Sequence, residues 1–183
     1  VLVSGGGGYA VLASDAIATA GLDVPQMPTE TIEALREFIP VAGTSVNNPI
    51  DTNVRGEEDL KRTLDIVARA APADVVFTNA SDLGDRDPDD EELPRDERIE
   101  RAEERSRYAA RAIAELQEST GTPFVAIARS RSNSEIANRA SEAYGLEAQK
   151  HGVGMFASVA RAARAIGLVN AWRARREGLP ELF

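Results

Sequence analysis

Cysteine is missing from the 183 residues, and histidine occurs once, at His151. Disulfides, thiolate nucleophiles and cysteine metal sites are thereby excluded. Lysine is nearly absent as well: Lys61 and Lys150 stand against 19 arginines, and no G-x-x-x-x-G-K-[ST] phosphate loop occurs anywhere. Aromatic residues make up 5% of the chain, with a single tryptophan, Trp172. That is too few to flank a flavin in the manner of flavodoxin itself. No apolar run approaches membrane-spanning length, and no basic stretch followed by a cleavable apolar segment opens the chain. A cytoplasmic location is the expectation. The formal net charge of -9 sets the surface against nucleic acid. The charge is also local, because between Asp82 and Arg107 12 acids face 6 arginines and supply 6 of the 9 net negative charges. This acidic insertion, about residues 82–107, reads as a solvated segment.

With 43% hydrophobic residues the chain can bury a full core. It reads as one α/β domain over residues 1–183, a fragment of something longer because it begins in mid-strand. Its most informative stretch is Ser4 to Ile17. There Val1, Leu2 and Val3 end a buried strand, Gly5, Gly6, Gly7 and Gly8 follow, and an alanine-rich helix begins near Tyr9 or Ala10 with Leu12, Ala16 and Ile17 on one side. Gly21 is its natural stop. Glycines between a strand and a helix allow close approach of another group, and the helix N-terminus offers unpaired N–H groups and a positive dipole end. Such a spot suits an anion, most often phosphate. Gly5, Gly7 and Ala10 also fit G-x-G-x-x-A, but no acidic residue closes the second strand, so a dinucleotide is disfavoured. A plain tight turn is the competing reading.

The remaining pattern alternates strands and helices. Leu22 to Val24 reads as the second strand. Thr29 caps a helix carrying Ile32, Leu35, Phe38 and Ile39 that Pro40 ends, and a patternless loop, Val41 to Val54, contains Asn47-Asn48-Pro49-Ile50-Asp51. A helix from about Glu57 to Ala71 leads to a central strand, Asp74 to Thr78, which exits through Asn79-Ala80-Ser81. A long helix from about Arg95 to Ser119 should turn Tyr108, Ala112 and Leu116 inward, while its polar first half, Asp96 to Arg107, projects from the domain. The fourth strand, Phe124 to Ala128, exits through Arg129-Ser130-Arg131-Ser132, where both arginines are phosphate candidates and Ser132 with Glu135 forms a capping box. Gly145 should stop the next helix. Gly152 to Phe156 is a weak fifth strand, and Ser158 caps a last helix with Ala162, Ile166, Val169 and Trp172 inward. Five strands of this kind predict a three-layer flavodoxin-like fold, a five-stranded parallel sheet of order 2-1-3-4-5. Ligands of such sheets bind at the carboxyl edge.

Together the glycine loop and the later N-P-x-D segment resemble one family, the NDP-forming acyl-CoA synthetases of the succinyl-CoA synthetase superfamily, in their second flavodoxin-like ligase domain. In that domain a strand enters a G-G-x-G loop, matched by Gly5, Gly6 and Gly8, with an aspartate further on, matched by Asp15. The next helix ends in a proline before N-P-[VI]-D, matched by Pro40 and by Asn48-Pro49-Ile50-Asp51. Gly7 stands where the family commonly has proline, and the acidic insertion is longer than the family usually shows.

The resemblance implies a phosphate-handling domain of an acid-CoA ligase, whose glycine loop and helix N-terminus stabilise a phosphohistidine carried by another domain. It places no catalytic residue and no metal site in this chain. Gly5, Gly6, Gly7 and Gly8 would bind phosphate, with Asn48, Asp51, Asn79, Ser81, Arg129 and Arg131 as supporting loop residues. It implies no cofactor for this domain alone, but CoA, ATP or ADP and Mg in the complete enzyme. CoA-binding, phosphohistidine and ATP-grasp domains or subunits of that enzyme would be its partners. His151 matches no phosphohistidine motif. A non-catalytic flavodoxin-like binding module, or a subunit of a related acyl or carbamoyl transferase, are the other readings.

Overall fold

The computed structural model describes residues 1–4, 6–52, 57–79, 92–128 and 134–176. In chain order the elements are β1 (Leu2–Ser4), α1 (Gly7–Thr19), α2 (Thr29–Arg36), β2 (Ile50–Asp51), α3 (Glu57–Ala68), β3 (Val76–Asn79), α4 (Arg95–Thr120), β4 (Phe124–Ile127), α5 (Glu135–Lys150), β5 (Gly154–Phe156) and α6 (Val159–Arg176). The strands form one parallel sheet in the order β2-β1-β3-β4-β5, as the alternating pattern predicts.

Successive residues of each strand feed opposite faces. Leu2, Phe77, Val125 and Ile127 pack under α1 and α6 with Ala13, Ile17, Ala162 and Ala163. Val1, Val3, Val76, Phe124 and Ala126 pack on the other face with Leu35, Leu64, Val67, Ile113 and Tyr144 from α2 to α5. Both strands are buried at all four positions, and β4, Phe-Val-Ala-Ile, is accordingly a continuous apolar run. All five strands share one direction, so the chain leaves each of them at the same edge of the sheet.

Several local expectations are corrected. The second strand is Ile50–Asp51, not Leu22 to Val24, which carries no strand structure. Its place beside β1 is taken through Asn48, whose Oδ1 accepts Leu2 N–H at 3.0 Å and whose Nδ2 donates to the Pro25 carbonyl at 3.0 Å. Val3 and Ser4 then pair with Ile50 and Asp51. Thr29 is the first helical residue of α2 rather than its cap, since Pro28 occupies the cap position. α1 begins at Gly7, earlier than Tyr9, and buries Ala10, Ala13 and Ile17 while Leu12 is 70% exposed. Gly145 lies inside α5, which runs on to Lys150. A side chain there would meet Met155 Sδ at 3.1 Å, so close packing against β5 explains the glycine.

The polar first half of α4 does not project alone. It lies along α5, burying Ala102 and Ser106, with Tyr108 turned outward and half exposed. Arg139 Nε donates to Glu103 Oε1 at 2.7 Å, Arg111 pairs with Glu147 at 3.3 Å, and Arg95 pairs with Glu135. Small residues at the contact let the helices approach, and the charges pair around it. α5 is capped by Ser134, whose Oγ accepts the Ala137 N–H at 3.2 Å, so Ser132 is not the cap. Ser158 Oγ accepts the Arg161 N–H at 3.3 Å and caps α6 as expected. Val169 and Trp172, expected inward on α6, are exposed.

Candidate functional site

At the carboxyl edge β1 ends in Ser4, and the chain turns through the glycines into α1. Gly6 sits at φ 101°, ψ 105°, a conformation open to glycine and strained for any other residue. Its carbonyl accepts the Tyr9 and Ala10 N–H groups at 3.0 and 3.1 Å, which closes the first turn. Gly7 and Gly8 are the first two helical residues, so their amides have no acceptor within the helix. No side chain caps α1, and its first turn holds no acid. Gly6, Gly7 and Gly8 are all exposed, and a side chain built on Gly8 would meet nothing within 4 Å. The turn therefore presents bare backbone donors and a positive dipole end to open space.

One anion already touches this turn. Asp51 ends β2 beside Ser4, and its Oδ1 accepts the Gly6 N–H at 2.7 Å. Its Oδ2 lies 3.2 Å from where a Gly7 Cβ would stand, so the carboxylate also accounts for glycine at that position. Asp51 is thus brought into the site, whereas Asn48 is not: it pins β1 to the Pro25 segment as described above. Asn47 does similar work, accepting the Met27 N–H at 2.8 Å. The Asn48–Pro49 peptide bond is cis. Asn79 closes β3 level with Ser4, since Leu2 and Val3 pair with Phe77 and Thr78, which places it on the same edge. Gly5, Ser81, Arg129 and Arg131 lie outside the described residues.

Ser4 itself is a site residue that sequence reasoning missed. It is 2% exposed, and its hydroxyl has no hydrogen-bond partner among the described residues. A serine closing an apolar strand just before the glycines was the available signal. His151, by contrast, caps the C-terminus of α5 ahead of β5, at the opposite edge of the sheet from the glycine turn. Its Nε2 is 3.6 Å from Glu147 Oε1. Among the described residues there is no cluster of three or more histidine, aspartate or glutamate side chains able to hold a metal ion, and no helix long and apolar enough to cross a membrane.

Residues 1–71, which hold the glycine turn and the N-P-I-D segment, match the family model described as a Ligase-CoA domain. That match covers the first 71 of the 183 residues. Solved structures agree with this at the level of fold. The chain superposes on PH0766 from Pyrococcus horikoshii OT3 with a TM-score of 0.65 and 21% identity, covering 97% of this chain and 36% of that one. It also superposes on the dinucleotide forming acetyl-coenzyme A synthetase 1 of Ca. Korarchaeum cryptofilum. Both its apo form and its complex with phosphate and ADP give a TM-score of 0.61 at 17% identity over 97% of this chain. The chain spans about a third of the length of these structures, 33–36%. No curated protein matches it in sequence.

Proposed function

We propose that this domain handles phosphate in an acid-CoA ligase of the NDP-forming kind, which converts an acyl-CoA, ADP and phosphate to the acid, CoA and ATP, or runs in reverse. The observation that carries the reading is the start of α1: two helical amides, those of Gly7 and Gly8, with no side-chain cap, no acid in the first turn and open space over Gly8. Such a group of donors lowers the energy of a phosphoryl group without doing covalent chemistry itself. It suits a domain that holds a phosphohistidine while the histidine belongs to another domain. Two facts support that division: His151 lies at the far edge of the sheet, and the solved relatives are about three times as long. CoA, nucleotide and Mg then belong to the other domains of a cytoplasmic enzyme. The phosphate and ADP in the complex of the Korarchaeum cryptofilum synthetase fit this chemistry.

The test is a side chain at Gly8 in the complete enzyme. Gly6 is unsuitable, because its positive φ would strain any substitution and confuse folding with function. Gly8→Val keeps an ordinary helical backbone and places an isopropyl group where the phosphoryl oxygens would approach. Losing about 1–2 kcal/mol of dipole and amide stabilisation should slow formation or discharge of the phosphohistidine by roughly ten- to thirtyfold. The melting temperature should hold. Full phosphoryl-transfer activity in Gly8→Val, or ATP formation by the 183-residue chain alone, would overturn the proposal.

A further inference from the structure

We infer that Asp51 is a resident anion that competes with phosphate for the start of α1, so that the domain discriminates against free inorganic phosphate. This rests on the phosphate-site reading above and goes beyond it. The Asp51 carboxylate holds the Gly6 N–H at 2.7 Å and lies against Gly7, within one helical turn of the amides left for a ligand. Two anions in that space repel each other, and the repulsion is felt most at low ionic strength.

A second, independent feature shows that the space is built for more than Asp51. Leu2 faces α1, packing with Ala13 and Ile17, while Val3 faces the other side, so strand alternation turns Ser4 towards α1, beneath its first turn. The Ser4 hydroxyl is buried there with no acceptor among the described residues. A buried hydroxyl in that state is costly until an acceptor arrives, and a phosphoryl oxygen seated on the Gly7 and Gly8 amides would be one. Asp51 sits on the other strand of the pair and leaves that hydroxyl unbonded. The geometry therefore sets two anions within one helical turn, a tethered carboxylate on the Gly6 amide and an incoming phosphoryl group on those of Gly7 and Gly8. A tethered carboxylate excludes a dilute free ion more effectively than a phosphoryl group that a neighbouring domain delivers at high local concentration.

The experiment titrates inorganic phosphate into the 183-residue chain and two variants, following the Gly6 and Gly8 amide signals by NMR, with sodium chloride at matched ionic strength as the control. Asp51→Asn keeps an oxygen for the Gly6 N–H and removes only the charge; Asp51→Ala removes both. Both variants should bind phosphate roughly tenfold more tightly than the unaltered chain, about 1.4 kcal/mol, with the gap narrowing as salt is raised. In the unaltered chain the Gly6 amide signal should move as phosphate saturates. Equal binding in all three chains, or weaker binding in the variants, would show that Asp51 only shapes the turn and would overturn the inference while leaving the phosphate site intact. Absence of saturable binding in all three would overturn the site and the inference together.

Discussion

The N-termini of α1 and α5 solve the same problem in opposite ways. α5 completes itself from its own sequence: Ser134 accepts the Ala137 N–H, and Glu135 puts a negative charge in the first turn. α1 has neither a capping side chain nor an acid in its first turn, and the carboxylate of Asp51, from 45 residues away, takes the amide of Gly6, ahead of the helix. At its other end α1 is firmly held, because Gly167 of α6 rests against the Ala20 carbonyl. An open helix start is affordable when the rest of the helix is anchored. On the proposed reading, the start of α5 serves folding and the start of α1 is left for a ligand.

Breaking the anchor should have the largest effect. A methyl group added at Gly167 would stand 2.3 Å from the Ala20 oxygen, which is impossible without moving backbone. Gly167→Ala should cost about 2–3 kcal/mol and lower the melting temperature by roughly 5–10 °C. A calorimetric scan checks this, and an unchanged transition would mean that α1 is not held from below. Removing the local cap is the next step down. Ser134→Ala should cost about 1 kcal/mol, visible as a fall of roughly 2–4 °C, and leave phosphoryl transfer by the complete enzyme unaltered. That is the reverse of the Gly8→Val pattern.

Smaller still is the contribution of the charges between α4 and α5. The hydrogen bond from Arg139, aided by Arg107, holds the Glu103 carboxyl below the usual carboxylate range, and Lys150 with Arg111 does the same for Glu147. A lowered carboxylate stabilises the fold above its unfolded pKa, and that contribution is lost as the pH falls through the folded value. Thermal stability should therefore drop below about pH 4.5, and Arg139→Gln should flatten part of that slope. Melting curves recorded from pH 6 to pH 3 read it directly; parallel slopes in the two proteins would count against the pairing. The smallest effect belongs to His151. His151→Ala should leave the phosphoenzyme level of the complete enzyme unchanged on a phosphate-retention assay, because the residue sits at the edge of the sheet away from the glycines.

How much of this was legible depended on whether the cause was local. β4 announces itself as an apolar run and β3 through Val75-Val76-Phe77, and four adjacent glycines between Ser4 and Tyr9 mark the turn at the carboxyl edge. The sheet order followed from the alternation of elements. β2 was hidden because two residues carry no pattern; it exists through Asn48 bonds to Leu2 and Pro25 that close over 46 and 23 residues. Gly145 looked like a helix stop because its reason, the Met155 side chain, comes from another element. The first half of α4 looked solvated because the partner of Glu103, Arg139, lies 36 residues further on. In the site, Asp51 was legible as a supporting residue. Its bond to Gly6 was not, since it depends on the parallel register that sets Asp51 beside Ser4.

The contrast between the two helix starts can be put to one measurement: the amide chemical shifts of Gly7, Gly8 and Ala137 in the 183-residue chain as inorganic phosphate is added at constant ionic strength. An open α1 predicts saturable shifts at Gly7 and Gly8 while Ala137, already bonded to Ser134, stays in place. If the glycine amides do not move, or if Ala137 moves with them, the start of α1 is only a turn, and the account of this domain as a phosphate holder is wrong.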